Sequence, residues 1–308
     1  MRATVLAAMI VAVAAACTWV VLRPMPARLV SDSSCGQPGH PGQYIGVITS
    51  GYPGGTELRN FAHATGVRPT LVPYFVSFRT NWNPKPACQI LRTGALPVIQ
   101  INPRHVPLAE IVAGRWDHYL ERYAQHVRGF GFPVVISFGH EMNGHWYSWG
   151  YRHTPPAVFV AAWRHIVTIF RQQRAGNVTW LWTVNIIDEH GGIPSPGPWW
   201  PGDSYVNWVG IDGYYLKPAW TFASLFGPTI KAVHALTLDP ILITETAASP
   251  ASDQPAKIAD LAAGIRHYGL LGFVWFDVHR KQDWRLISPA ATAAYRQAAR
   301  SFQGTAGS

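Results

Sequence analysis

From Tyr44 onward, eight short apolar runs alternate with stretches of helical character, and this alternation restricts the fold more than any other feature of the sequence. The runs at 96–100, 134–138 and 272–276 are apolar nearly throughout. Strands that are buried on both faces have this composition, as in a parallel sheet covered by helices. Eight such strands predict an α/β fold, a single (β/α)8 TIM barrel of about 260 residues.

The predicted elements follow from apolar runs and from helical periodicity. The stretch 186–203 is rich in Gly and Pro and is expected to form a long loop over one end of the barrel. Strands are predicted at 44–48, 70–76, 96–101, 133–138, 178–184, 207–212, 240–244 and 271–276, and helices near 55–65, 86–93, 115–129, 155–174, 222–236, 253–267 and 288–302.

An apolar segment precedes the barrel. Residues 3–22 are apolar or small and lie between Arg2 and Arg23, and this length suits a membrane span or a long signal-peptide core. We expect residues 1–22 to be an uncleaved membrane anchor, with a cleaved signal peptide as the alternative. Residues 23–42 form a Pro/Gly-rich linker, and the catalytic domain is expected at 43–303. The protein is expected to be extracytoplasmic, either membrane-anchored or secreted.

Two cysteines lie outside the anchor, Cys35 in the linker and Cys88 in the domain. In an exported chain they suggest a disulfide that ties the linker to the domain. Two unrelated buried thiols remain the alternative, because spacing in the sequence does not show that the two Cα atoms approach each other.

The charge of the chain excludes some functions. The formal net charge is +9, yet only 13% of the residues are charged and the basic ones are scattered. A nucleic-acid-binding protein concentrates its basic residues in a patch, so no nucleic-acid partner is expected. The dispersed positive surface suits solubility or contact with an anionic cell envelope. We expect a monomer.

Two glutamates follow strands that end at the same face of the predicted barrel, Glu141 after strand four and Glu245 at the end of strand seven. Cleavage of a glycosidic bond needs one carboxyl group to protonate the leaving oxygen and a second one to meet the sugar carbon. Strand ends on opposite sides of a small barrel favour the shorter separation, which gives retention of configuration. The alternative is a structural role in which a neighbouring Arg satisfies each glutamate.

The sequence lacks the residue spacing of two other hydrolytic mechanisms, zinc-dependent hydrolysis and serine-dependent acyl transfer. The run His140–His145 superficially resembles a HExxH zinc motif, but its fourth place is Gly144 and His145 is five residues from His140. No GxSxG nucleophile elbow occurs in the chain. No metal and no cofactor are expected.

The run GHEMNGHWYSWG at 139–150, with VGIDGY at 209–214 and ITET at 243–246, resembles glycoside hydrolase family 26 over residues 43–300. The family contains endo-β-1,4-mannanases, and some members act on mixed-linkage β-glucan or β-1,3-xylan. The resemblance implies a retaining, endo-acting glycosidase of a polysaccharide, most closely of the β-1,4-mannan type. It implies Glu141 as general acid/base and Glu245 as the nucleophile that forms a glycosyl-enzyme.

The resemblance also implies a sugar-hydroxyl contact for His140, for which a core histidine bonded to backbone is the alternative. Nearby aromatic side chains are expected to raise the pKa of Glu141. The Tyr214 hydroxyl is expected to keep Glu245 ionised. Asn143 holds either the loop or a sugar hydroxyl.

Several residues at strand ends are further candidates for substrate binding. An indole ring packs well on the C–H face of a pyranose, which favours three tryptophans as sugar platforms. These three are Trp146, Trp149 and Trp275. Trp199 and Trp200 are expected either to extend the groove or to pin the long loop. Asp212 and Asp277 are expected to fix loops, and Asn102 and Asn185 are candidates for contacts with sugar hydroxyls.

One departure from the family concerns the substrate. Mannanases usually show Arg-Pro and an apolar residue before His-Glu, whereas Ser137-Phe138-Gly139 stand here. This difference concerns the identity of the substrate rather than the type of reaction, because both glutamates are present. The alternatives are a carbohydrate-binding barrel without catalysis and a transglycosylase that processes polysaccharide at the cell surface.

Overall fold

The computed structural model describes residues 35–39, 42–51, 53–188 and 190–303. Eight parallel strands follow one another around a closed barrel in sequence order, and β1 pairs with β8 to close it. The predicted (β/α)8 fold is confirmed. The strands are β1 (Tyr44–Thr49), β2 (Leu71–Ser77), β3 (Leu96–Asn102), β4 (Val134–Phe138), β5 (Val178–Asn185), β6 (Trp208–Asp212), β7 (Ile241–Thr246) and β8 (Gly272–Asp277).

Helices surround the barrel and cover the outer faces of its strands. Asn83 caps α2 by accepting a hydrogen bond from the Lys85 N–H, and Pro84 occupies the first helical position, where no N–H is needed. Thr221 and Ser224 form a reciprocal capping box at the start of α6. The helices are α1 (Thr56–Thr65), α2 (Pro84–Leu91), α3 (Leu108–Val112), α4 (Asp117–Phe130), α5 (Pro156–Gln172), α6 (Phe222–His234), α7 (Gln254–His267) and α8 (Pro289–Gln303).

The differences from the predicted elements lie mainly at the carboxyl ends of strands. Asn102, Asn185 and Glu245 belong to the strand ladders, whereas prediction from apolar runs stopped before them. These polar residues stay in the strands because a closed barrel continues its hydrogen-bonded ladder to the mouth. The short helix α3 was not predicted, since five residues are too few to show a helical period.

Cys35 and Cys88 form a disulfide that joins the start of the described chain to α2. The predicted anchor at 1–22 and most of the linker at 23–42 lie outside the described residues. Within the described ranges, no helix is both long enough and apolar enough to cross a bilayer.

The long loop after β5 is pinned to the barrel by two aromatic contacts. Trp199 is 2% exposed and meets Tyr151 edge to face at 6.0 Å between ring centroids. Trp200 packs in the same way on Trp182 at 5.0 Å. Of the two roles considered for these tryptophans, pinning the loop is the one that these contacts support.

Candidate active site

Glu141 stands on a tight turn directly after β4. Its backbone has a φ of 54°, in the left-handed region that non-glycine residues rarely adopt. The Glu141 N–H donates to Thr183 O of β5, so the barrel ladder holds this unusual residue in place. Backbone strain of this kind concentrates at functional sites.

The same turn depends on a glycine. Gly139 has a φ of 58°, and a Cβ there would lie 3.1 Å from the Phe159 ring and 3.2 Å from the Trp149 ring. The small residue in this departure from the mannanase pattern therefore accommodates the buried Trp149, which fills the space beside the turn.

Glu245 lies inside β7, where the pairing with both neighbouring strands shifts register. Its Oε2 accepts a hydrogen bond of 2.7 Å from the Tyr214 hydroxyl, as predicted, and its Oε1 accepts one of 3.3 Å from Gln100 Nε2. Gln100 comes from β3, across the barrel interior. A β-bulge changes the direction in which side chains point, and the register shift here coincides with the carboxylate of Glu245 at the mouth of the barrel.

Both glutamates line one pocket of about 590 Å³ at the carboxyl ends of the strands. They are 7% and 6% exposed, respectively. A larger groove of about 770 Å³ lies on the outer face between α2 and α4, beside the disulfide. The acids and the histidine with clearly shifted pKa values are absent from that groove, so the chemistry is placed at the mouth of the barrel.

Burial raises the pKa of Glu141, against the hydrogen bonds that it accepts from Asn185 and Trp146. Burial and the charge of Glu141 raise the pKa of Glu245 to about 8, although Tyr214, Arg280 and Gln100 act in the opposite direction. The prediction for Glu141 agrees in direction. The hydrogen bond from Tyr214 favours the ionised form of Glu245, as predicted, but burial and the charge of Glu141 outweigh it.

Asp212 is the last residue of β6, pairs with Glu245 in the strand register and is fully buried. Burial first, and then the charges of Glu245 and Glu141, raise its pKa well above the usual range. Its Oδ1 accepts a 2.5 Å hydrogen bond from the Thr244 hydroxyl, and its Oδ2 has no hydrogen-bond partner among the described residues. The expected loop-fixing role is wrong for Asp212, because it contacts strand β7 instead. Asp277 does fix a loop, since it accepts from the Leu286 N–H.

His140 lines the pocket, and its Nδ1 lies 3.0 Å from Asn102 Oδ1. Burial, followed by the charge of Arg104, lowers the pKa of His140 to about 3. The ring is therefore neutral, and Nδ1–H donates to Asn102 while Nε2 remains an acceptor. A neutral histidine held in this way suits a sugar hydroxyl, and Asn102, which also lines the pocket, orients the ring through its Oδ1.

Asn143 is fully buried and holds the loop rather than a ligand. Its Nδ2 donates to Asn185 O at 2.9 Å and to Pro194 O at 3.2 Å, and its Oδ1 accepts from the Asn185 N–H. Of the two roles considered for Asn143, holding the loop is the one that these contacts support. Asn185 donates its own side-chain N–H to Glu141 Oε1 at 2.6 Å instead of reaching a sugar hydroxyl.

Trp146 is 42% exposed, and its Nε1–H donates to Glu141 Oε2 at 2.8 Å. Its ring lies over Gly144, where a Cβ would come within 2.3 Å of the indole. Glycine at position 144 therefore allows the exposed indole to lie against the acid.

Trp149 and Trp275 are 2% and 0% exposed, so the prediction that they are sugar platforms is wrong. Each supports an aromatic residue that does line the pocket. Trp149 stacks on Tyr147 with ring centroids 4.3 Å apart, and Trp275 donates its Nε1–H to the carbonyl of Trp284.

Sequence reasoning missed several residues that line the pocket or contact its acids, among them Gln100, Trp284, Arg104 and Arg280. Gln100 reads as part of an apolar run, and Trp284 lies beyond the predicted strand end. Arg104 and Arg280 line the pocket and belong to short loops after β3 and β8, where scattered basic residues carry no pattern. Among the described residues, no cluster of three or more His, Cys, Asp or Glu is suited to a metal ion.

A family model for glycosyl hydrolase family 26 matches residues 114–263, which include both glutamates. Endoglucanase H of Acetivibrio thermocellus is 31% identical over 274 residues, which is 83% of this chain and 30% of that protein. Mannan endo-1,4-beta-mannosidase A and B of Caldalkalibacillus mannanilyticus is 28% identical over 114 residues, which is 34% of this chain and 21% of that protein. The chain therefore spans less than a third of the length of either relative.

Solved structures support the fold. A beta-mannanase of family 26 from Bacteroides ovatus superposes with a TM-score of 0.64 at 17% sequence identity, covering 87% of this chain and 92% of that one. At this level of identity the similarity concerns the barrel alone.

Proposed function

This chain belongs to glycosyl hydrolase family 26, and we propose that it cleaves internal β-glycosidic bonds of a polysaccharide with retention of configuration, most closely in a β-1,4-mannan-type backbone. The observation that carries the proposal is the pair of buried glutamates, which come from β4 and β7 and line one pocket. Buried glutamates without a charged partner are rare unless they have a task. The structural alternative, in which Arg satisfies each glutamate, receives no support, because both accept their hydrogen bonds from neutral donors.

Glu141 acts in the proposed mechanism as the acid. Burial favours its protonated form, and the exposed indole of Trp146 lies beside it and donates to its Oε2. Glu141 gives its proton to the glycosidic oxygen as the bond to the anomeric carbon breaks. It then takes a proton from the water that attacks in the second step.

Glu245 acts as the nucleophile. Its attack on the anomeric carbon forms the glycosyl-enzyme, which water then hydrolyses. With the proton on Glu141, the repulsion between the two acids is removed, and Glu245 reacts in its ionised form. The Tyr214 hydroxyl and the nearby charge of Arg280 favour this distribution.

The test assays the full chain against β-mannan, glucomannan, mixed-linkage β-glucan and xylan, with Glu141→Ala and Glu245→Ala beside the parent protein. We expect new internal chain ends from one of the polymers and at least about a hundredfold loss in each variant. Tight binding without turnover would instead indicate a carbohydrate-binding barrel, and products longer than the substrate in the presence of an acceptor would indicate transglycosylation.

The proposal extends to location. The 20-residue apolar segment at 3–22 supports an extracytoplasmic enzyme that is either held at the membrane or secreted. We also propose that the protein is a monomer. N-terminal sequencing of the protein from the membrane fraction tests the anchor, because a start after Ala16 would contradict retention of the segment. Sedimentation of the purified protein tests the monomer.

A further inference from the structure

Two arginines line the pocket together with the glutamates, Arg104 in the loop after β3 and Arg280 in the loop after β8. Both side chains are exposed. The ion pairs of the described residues involve Arg115, His165 and Arg285, and neither guanidinium group of the pocket forms a hydrogen bond within those same ranges. Arg280 rests only on the ring of Phe276, at 5.8 Å from its centroid.

The two cations act on opposite sides of the reacting pair. Arg104 acts on His140 and on Tyr147, which belong to the β4 end of the pocket. Arg280 acts on Glu245 of β7. A ligand that spans the pocket from the β4 side to the β7 side therefore passes both guanidinium groups.

Neither guanidinium group forms an ion pair with a described residue. His140 carries no charge at pH 7, because its pKa is lowered to about 3. Glu141 and Glu245 accept their hydrogen bonds from neutral donors and not from either arginine. A neutral glycan would leave the two positive charges without an anionic partner.

We propose that the substrate of this pocket is an anionic glycan that carries an oxyanion, either a uronate carboxylate or a phosphate ester, on a sugar next to the cleaved bond, and that Arg104 and Arg280 recognise it. This inference rests on the proposed function. A guanidinium group presents paired N–H donors that match a carboxylate or a phosphate. The net charge of +9 on the whole chain would add long-range attraction for such a polymer.

The test uses polymers that differ only in charge. A β-mannan bearing uronic acid side groups is compared with the same polymer after chemical reduction of its carboxyl groups, and a phosphorylated mannan is compared with its dephosphorylated form. We expect kcat/KM of the full chain for one anionic form to exceed that for its neutral counterpart by about tenfold, which corresponds to one charged hydrogen bond. The pair that shows the preference identifies carboxylate or phosphate. The preference should shrink as salt is added.

Substitutions locate the effect. Arg104→Gln and Arg280→Gln should each reduce the preference for the anionic polymer. Arg300→Gln removes the same charge from an exposed position in α8, outside the pocket, and should leave the preference intact. An equal loss of preference in Arg300→Gln would overturn the inference, because the effect would then belong to the overall charge.

The outcomes separate this inference from the proposed function. Equal cleavage of charged and neutral polymers overturns the anionic substrate and leaves the hydrolase in place. If no polymer is cleaved, the proposed hydrolase fails, and calorimetry on the Glu245→Gln protein decides the inference alone. The ligands are an oligosaccharide that carries a uronic acid and the same oligosaccharide after reduction of its carboxyl group. Tighter binding of the first supports the inference, and equal binding overturns it.

Discussion

Glu141 and Glu245 are the same residue type and are equally buried, yet the barrel holds them by different means. Glu141 stands on a strained left-handed turn, where it accepts two N–H donors, from Asn185 and Trp146. Glu245 lies in a bulged strand, where it accepts from the Tyr214 hydroxyl and from Gln100, with Arg280 nearby.

The difference teaches how one barrel gives two roles to one side chain. The turn of Glu141 carries an exposed indole that donates to the acid, whereas the charge of Arg280 acts on Glu245. A nearby positive charge favours the ionised form of a carboxylate. These surroundings support the proposed roles, with the acid after β4 and the nucleophile on β7.

Removal of the nucleophile should have the largest effect. Glu245→Gln keeps the shape of the side chain and removes the attacking oxygen, so kcat should fall by at least about 10⁴-fold. Single-turnover assays with an activated aryl glycoside check this expectation. A fluorinated sugar that traps the glycosyl-enzyme should label Glu245 in the parent protein. Labelling of Glu141 would instead identify Glu141 as the nucleophile.

Removal of the acid should cost less, because an activated leaving group needs no proton. Glu141→Ala should lose about 10²- to 10⁴-fold on polysaccharide and much less on an activated aryl glycoside. Azide should restore turnover of the aryl glycoside and give a β-glycosyl azide. An α-azide product, or rescue only in the Glu245 variant, would exchange the roles of the two residues.

A matched pair of donor removals sharpens the comparison further. Tyr214→Phe removes a hydrogen bond to Glu245, which should lower kcat/KM by about tenfold and move the acidic limb of the pH profile to higher pH, because the pKa of the nucleophile rises. Trp146→Phe removes a donor to Glu141 and should move the basic limb upward instead. Movement of the same limb in both variants would show that the two acids are not distinguished by their donors.

The smallest effect concerns stability. Folding raises the pKa of Glu245 from 4.5 to about 8, so the parent protein loses stability as the pH rises through this interval, where only the folded state keeps the proton. Glu245→Gln should therefore have a higher Tm than the parent at pH 8.5, by at least about 2 °C, and a smaller advantage at pH 5. Glu57→Gln, at an exposed position of α1, is the control and should show no such dependence. An advantage that does not change with pH would contradict a raised pKa.

Residues that follow directly from a strand end were predictable. The alternation of apolar runs predicted the barrel, and the position of Glu141 and Glu245 after two of those runs predicted that they share its mouth. Tyr214 was predicted as the donor to Glu245 together with the family resemblance, and its hydroxyl does donate to Glu245 Oε2. These inferences succeed because parallel strands of a barrel all end at one face.

Side-chain direction was not predictable. Trp149 and Trp275 carry the same sequence signal as Trp146, yet the first two pack into the wall while Tyr147 and Trp284 line the pocket. A loop residue can turn inward or outward without any change in its spacing, and the neighbours that decide this are distant in the sequence. Gln100 was missed for the same reason, since its partner Glu245 is 145 residues away.

By itself, the sequence determined the barrel and the two acids, because burial patterns and strand ends are local properties of the chain. Only the tertiary structure decided which aromatic rings line the pocket, that burial raises the pKa values of both acids, and that two arginines stand beside them without an ion pair in the described part of the chain. These properties depend on distances between side chains from different strands, and the free energy of a buried charge depends on every group around it.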